Sequence, residues 1–179
     1  MTARRIGQIC GDYGIPMHVE LRAPTPDERP DRPQEGWVPF YELPFTFGFR
    51  FPIPELAKEI LHHFNLAPTQ LMPNAWRTIL YILLLGEMGG RQLTLKEFLA
   101  CYMLKFNPKD RARHYFSYRT DRQLVKELKN TDRGWLHRYF MVSLASLCGR
   151  TSSSDIMPIR TTFGVPNEHL YYLLSFSYF

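Results

Sequence analysis

One stretch constrains the fold more than any other. Residues 49–87 read FRFPIPELAKEILHHFNLAPTQLMPNAWRTILYILLLGE and contain two apolar segments, each opened by a proline and joined by a turn around Pro68. Proline in the first turn of a helix gives up an N–H that has no intrahelical partner, so Pro54 and Pro73 mark helix starts. From Pro54, Leu56, Ile60 and Phe64 recur every fourth residue with Ala57 and Leu61 alongside, which defines one apolar face. Glu55 lies at the positive end of that helix dipole. From Pro73 to Glu87 the residues are apolar nearly all round, which predicts a helix buried on most sides. Trp76 and Leu83 are its expected core anchors, and Gly86, Gly89 and Gly90 its stop. The expected unit is a buried helical hairpin at about 54–87.

The rest of the chain is read around this unit. With 179 residues, 45% of them hydrophobic, there is material for one domain with its own core. Residues 1–22 carry few signals and read as a weakly structured segment in which Ile15, Val19 and Leu21 pack locally. Residues 23–36, APTPDERPDRPQEG, hold four prolines and six charged side chains and read as an exposed proline-rich linker. Residues 37–51 are dense in aromatics. Pro39 and Pro44 argue against a central strand there, and the rings are expected to pack onto the helices that follow. Thr94 and Glu97 fit a capping box, so a third helix starts at Thr94 and fades by Asn107-Pro108.

Residues 114–119 and 137–143 read as short aromatic strands, expected to pair with each other as a two-stranded antiparallel element. A short capped helix is expected at 120–128, with a turn at 130–134. The fold class is therefore mainly α with a small antiparallel β element, α+β. Residues 37–148 form the main domain. Residues 149–179 form a divergent C-terminal segment that ends in HLYYLLSFSYF.

The formal net charge of +5 is not spread evenly. Residues 105–138 carry ten Lys and Arg against four acids, a local +6, which leaves the remainder at −1. Rings are interleaved with these cations. Cations that track phosphates and rings that stack bases are what single-stranded nucleic acid binding uses. Lys109, Arg111, Arg113, Tyr115, Tyr118, Arg119, Arg122, Arg133, Trp135 and Arg138 are the candidate contacts to RNA or DNA. The alternative reading turns the rings into the core and leaves the cations as a solvated face.

Motifs for other chemistry are missing. The sequence has no phosphate-cradling GxxxxGK[ST] loop, no GxGxxG, no GxSxG elbow and no HExxH. His62 and His63 have no ligand partner at helical spacing. Asp121, Asp132 and Asp155 lack the strand–helix alternation that would gather carboxylates around two metals. No catalytic residue, metal, cofactor or small-molecule substrate is therefore expected. Cys10, Cys101 and Cys148 form no CxxC pair and read as buried reduced thiols. With no secretory signal and no apolar run of about 20 residues, the expectation is a soluble intracellular protein, cytoplasmic or nuclear.

Several segments resemble a known family. Tyr13-Gly14-Ile15-Pro16 with Val19-Glu20-Leu21-Arg22, and Glu35-Gly36-Trp37-Val38-Pro39-Phe40-Tyr41, are similar to its opening. Phe49-Arg50-Phe51-Pro52-Ile53-Pro54, Leu66-Ala67-Pro68-Thr69-Gln70-Leu71 and Pro73-Asn74-Ala75-Trp76 carry the strongest likeness. Tyr115-Phe116-Ser117, Gly134-Trp135 and Arg138-Tyr139-Phe140-Met141-Val142 continue it. Together they resemble the plant "putative gypsy-type transposon" domain, also labelled a putative transposase, over about residues 11–143. The resemblance implies a gag-like, non-catalytic region of an LTR retrotransposon that self-associates and contacts element RNA or DNA. An inert remnant, a protein–protein interaction module, or a DNA-processing enzyme as the label suggests, are the alternatives. The resemblance supplies no catalytic residue.

Overall fold

A computed structural model describes residues 1–119, 124–125, 133–148 and 159–166. Helix α1 spans Ala3–Asp12 and is capped by the Thr2 hydroxyl, which accepts the Arg5 N–H at 3.3 Å. Strands β1 (Leu21–Arg22) and β2 (Trp37–Tyr41) flank β5 (Tyr139–Ser143) in a three-stranded antiparallel sheet of order β1-β5-β2. Leu21 pairs with Val142, and Phe40 with Phe140. Pro39 is tolerated because β2 is an edge strand, where a missing N–H interrupts no second ladder.

After the short helix α2 (Leu43–Thr46) come α3 (Glu55–His63), α4 (Pro73–Met88) and α5 (Leu95–Cys101). The expected proline starts hold for α3, preceded by Pro54, and α4, where Pro73 is the first residue. The expected capping box holds for α5: Thr94 Oγ1 accepts the Glu97 N–H, and Glu97 Oε2 accepts the Thr94 N–H at 2.9 Å. Helix α4 ends in a Schellman motif. Gly90 is left-handed at φ +66, its N–H reaches Glu87 O, and the Arg91 N–H reaches Gly86 O at 3.0 Å. Helix α3 ends the same way with Asn65 at φ 55, where the Leu66 N–H reaches Leu61 O at 2.9 Å.

Strands β3 (Tyr102–Asn107) and β4 (Asp110–Tyr118) form a second, two-stranded antiparallel sheet, and α6 (Leu144–Cys148) follows β5. The core is aromatic where the three-stranded sheet meets α4. Phe49 stacks edge-on against Phe45 and Trp76, each at 4.9 Å, and Phe40 against Phe51 at 5.3 Å. Such pairs add about 0.5–1.5 kcal/mol each beyond their buried area. The Trp76 indole N–H is satisfied by Pro68 O at 3.2 Å.

Six expectations are corrected. Residues 1–22 are not weakly structured. Helix α1 forms despite Gly7 and Gly11 because its cap is satisfied and Ile6 and Ile9 are buried. Residues 23–36 are not an exposed linker but an ordered loop wound around the buried carboxylate of Glu28. The helix begun at Thr94 stops at Cys101, and the next six residues are β3.

The two expected strands do not pair with each other. The first belongs to β4 and pairs with β3, while the second is β5, central in the other sheet. Leu83 is not a core anchor: it is half-buried on the flank of α4, while Ile79 and Ile82 carry the buried face. Cys10 and Cys101 are free and half-buried rather than buried. The expected helix at 120–128 lies almost wholly outside the described residues, as do most of the turn at 130–134 and all of the C-terminal segment 149–179 except residues 159–166. No helix among the described residues is long and apolar enough to cross a membrane.

Candidate interaction surfaces

Strand alternation sorts the basic–aromatic region into two sets. Successive side chains of β3 and β4 point to opposite faces, and the register places Tyr102 opposite Tyr118, Leu104 opposite Phe116, and Phe106 opposite His114. The middle of that face turns inward, with Tyr102, Leu104 and His114 buried and Phe116 packed edge-on against Phe98 at 4.9 Å, while Phe106 and Tyr118 stay exposed. The other face presents Met103, Lys105, Tyr115 and Ser117, with Lys105 directly opposite Tyr115. Lys105 is exposed and Tyr115 half-buried.

The hairpin tip carries Lys109 and Arg111, both exposed, and the Arg111 guanidinium lies 4.9 Å over the Phe106 ring. Lys105 was not among the candidates read from the sequence. Only its register opposite Tyr115 reveals it. Tyr118, at 48% exposure, and Arg138 also face solvent. A cationic tip with rings beside it suits phosphate contact and base stacking.

Three candidates have other work. The Arg113 guanidinium donates to Asp110 Oδ2 at 2.7 Å and to the Tyr41 hydroxyl at 2.8 Å, and lies 5.3 Å over the Trp135 ring. It clamps the hairpin to β2. Burial pushes the Tyr41 phenol above its usual range, and the adjacent Arg113 charge opposes that shift. Trp135 is 5% exposed and meets Tyr41 edge-on at 4.6 Å, so it offers no open face to a base. Its expected stacking role does not fit that burial. Arg119 donates from Nε to Leu99 O at 2.9 Å and anchors the end of β4. Arg122 lies outside the described residues. Arg133 opens a short 3-10 turn that leads into β5.

A second surface lies on α4, where the sequence promised burial. Tyr81, Leu84, Leu85 and Met88 are 41%, 51%, 43% and 78% exposed. Their spacing is i, i+3, i+4, i+7, so at 100° per residue they share an arc of about 100° opposite Ala75, Ile79, Ile82 and Gly86. Helix α4 thus has two apolar faces, one in the core and one outside. A helix apolar all round reads as buried on all sides. Which face the core takes is set by the sheet and α3, which the local pattern does not contain.

Comparison with known proteins finds a family likeness that includes α4 but stops before the tip of the hairpin. Residues 40–106 match the family described as "putative gypsy type transposon". The chain is 27% identical over 146 residues to an uncharacterized chloroplastic protein of Arabidopsis thaliana, and the alignment covers 80% of this chain and 18% of that protein. The chain thus spans less than a fifth of that relative's length. No solved structure matches the chain. The matched segment holds most of the aromatic cluster, α3, α4 and the first strand of the basic hairpin, and over it the chain is similar to the putative gypsy type transposon family.

Proposed function

We propose that this chain is a non-catalytic, gag-like assembly domain of a gypsy-type element, working inside the cell and associating with copies of itself through the outer face of α4. The row Tyr81, Leu84, Leu85 and Met88 carries the proposal. Four large apolar side chains at helical spacing form a seam of the kind that pairs helices. The seam is self-complementary: in an antiparallel pair about a two-fold axis, Leu84 of one copy meets Leu85 of the other, and Tyr81 meets Met88. One helix face buries less than the roughly 1,200–2,000 Å² of a stable interface, so the contact is weak alone and gains from multiplicity, as in a lattice.

Size-exclusion chromatography with light scattering over a concentration series tests it. The expected result is a mass that rises above 21.1 kDa with concentration for the native chain and stays there for Leu84→Asp. A native chain that remains monomeric at millimolar concentration overturns the assembly reading and favours a remnant or a module for other partners.

A second reading, compatible with the first, is favoured by the solvent-facing set Lys105, Lys109 and Arg111 beside Tyr115 and Phe106. The hairpin contacts single-stranded RNA or DNA, with the cations on phosphates and the rings on bases. Affinity for an oligonucleotide that falls steeply with salt supports it. Metal-dependent nicking of that oligonucleotide would instead favour the DNA-processing alternative.

A further inference from the structure

Residues 159–166, IRTTFGVP, are held against the domain by the side chains of Asn65 and Gln70. The buried carboxamide of Gln70, 1% exposed, faces the peptide unit of Gly164. Gly164 N–H donates to Gln70 Oε1 at 2.7 Å, and Gln70 Nε2 donates to Gly164 O at 2.8 Å. Two hydrogen bonds exchanged with one residue are what a neighbouring antiparallel strand makes, so the Gln70 side chain stands in for a strand residue. Its remaining capacity is also used: Oε1 accepts the Ala67 N–H at 3.0 Å and Nε2 reaches Ala112 O at 3.3 Å. Both donors and both acceptor directions of the amide are thereby filled, which fixes its orientation.

Asn65 reads the next peptide unit. Its Nδ2 donates to Val165 O at 3.2 Å, and its Oδ1 accepts from Arg160 Nη1 at 2.8 Å. One position is selected by exclusion: a Cβ on Gly164 would lie 1.8 Å from Asn65 O. Pro166, two residues on, is buried, and Ile159 packs on the core. Main-chain hydrogen bonds for affinity, with fit at particular side-chain positions for specificity, are the elements of extended-peptide recognition.

We propose that Asn65 and Gln70 form a recognition site for an extended Gly-Val-Pro peptide, filled in this structure by the chain's own residues 159–166 and able to take the same segment from a second copy. The contacts all come from eight consecutive residues, the hydrogen-bonded pairs lie 94 or more positions apart in the sequence, and none requires the intervening chain. Tethering gives the chain's own segment a high effective concentration, so it prevails until displaced. This goes beyond the α4 seam, and the two fail independently.

The test is fluorescence anisotropy of a labelled peptide, IRTTFGVP, titrated with three partners: the full native chain, the full chain carrying Gly164→Ala, and that variant challenged with a peptide bearing the same change. The alanine in the chain ejects its own segment and opens the site. At least about tenfold tighter binding of the glycine peptide to the variant than to the native chain is expected, with none by the alanine peptide. Equal binding to both chains, no binding to the variant, or equal binding by both peptides would overturn the proposal. Circular dichroism checks the fold. If Gly164→Ala does not fold, Arg160→Ala with Pro166→Asp displaces the segment without touching Gly164. Unfolding of that variant too would also overturn the proposal, because the segment would then be core and not ligand.

Discussion

Arg22 holds Glu28 through two parallel hydrogen bonds, Nη1 to Oε2 at 2.6 Å and Nη2 to Oε1 at 2.7 Å. The same carboxylate accepts the Thr25 N–H at 2.8 Å and the Gln34 N–H at 3.1 Å. Arg22 in turn lies 4.3 Å over the Trp37 ring, and the Tyr139 hydroxyl donates to Glu28 O at 2.8 Å. One acid therefore ties both edge strands, the central strand and the loop at 23–36 together.

Removing that acid should loosen the three-stranded sheet. Glu28 is 6% exposed, and loss of one partner of a buried pair costs about 3 kcal/mol. Glu28→Ala is expected to lower the unfolding free energy measured in urea by that amount. The hydrogen bonds from Arg22 hold the Glu28 carboxyl well below its usual 4.5, at about 2, with the Thr25 and Gln34 N–H groups acting in the same direction. A depressed acid stabilises the fold above its unfolded pKa, and that contribution is lost as pH falls from about 4.5 to about 2. Thermal melts across that window should show a steep loss for the native chain and a flatter one for Glu28→Ala.

His114 predicts a second and separate acid sensitivity. Its ring is buried at 1% exposure on the inner face of β4, and burial pushes its pKa below 6.5. A depressed base favours its neutral form in the fold, so stability is full above 6.5 and declines as pH falls below it. The strand it belongs to accepts the Met72 N–H through His114 O at 2.8 Å, so protonation strains the junction with the start of α4. His114→Gln should flatten the stability profile below pH 6.5. In a proton NMR titration the His114 ring should stay neutral at pH 6.5 and take up its proton only below it.

The parts of this fold that are legible in the sequence are those decided within a few residues. Pro54, Pro73 and the Thr94–Glu97 box each set a helix start by satisfying or removing backbone N–H groups locally. The loop at 23–36 is decided by Arg22, Tyr139 and a carboxylate, so counting its prolines and charges misses it. Strand β3 is hidden because Met103, Leu104 and Phe106 also continue a helical pattern, and only pairing with β4 decides between them. The candidate site divides for the same reason. Arg111 and Arg113 look alike in the sequence, yet register sends one to the tip and the other to Tyr41. The seat of residues 159–166 on Gln70 spans too much of the chain to leave a local signal.

Arg111 and Arg113 should therefore respond oppositely to mutation. Lys109→Glu with Arg111→Glu changes only exposed side chains and should leave the unfolding free energy within about 0.5 kcal/mol of native, as is typical of surface changes. If the hairpin meets nucleic acid, the same pair should weaken oligonucleotide binding and reduce its salt dependence by about two phosphate contacts. Arg113→Ala removes hydrogen bonds to Asp110 and Tyr41 and the stack on Trp135, and should cost about 2 kcal/mol. Equilibrium unfolding and fluorescence anisotropy on the same three proteins separate the two roles.

The two faces of α4 make the sharpest contrast. Ile79 is 0% exposed, and an unpaired charge there has neither water nor a partner, so Ile79→Asp should cost about 4 kcal/mol or more and unfold the domain. Leu84, five residues on, is 51% exposed, and Leu84→Asp should leave the fold within about 0.5 kcal/mol of native. Half-buried Leu83 should fall between them. Circular dichroism melts order the three by burial. Only Leu84→Asp should keep the native melt while losing any concentration-dependent mass. A melt for Leu84→Asp as low as that for Ile79→Asp would mean that the outer face is covered within the same chain, and the seam would not be available to a second copy.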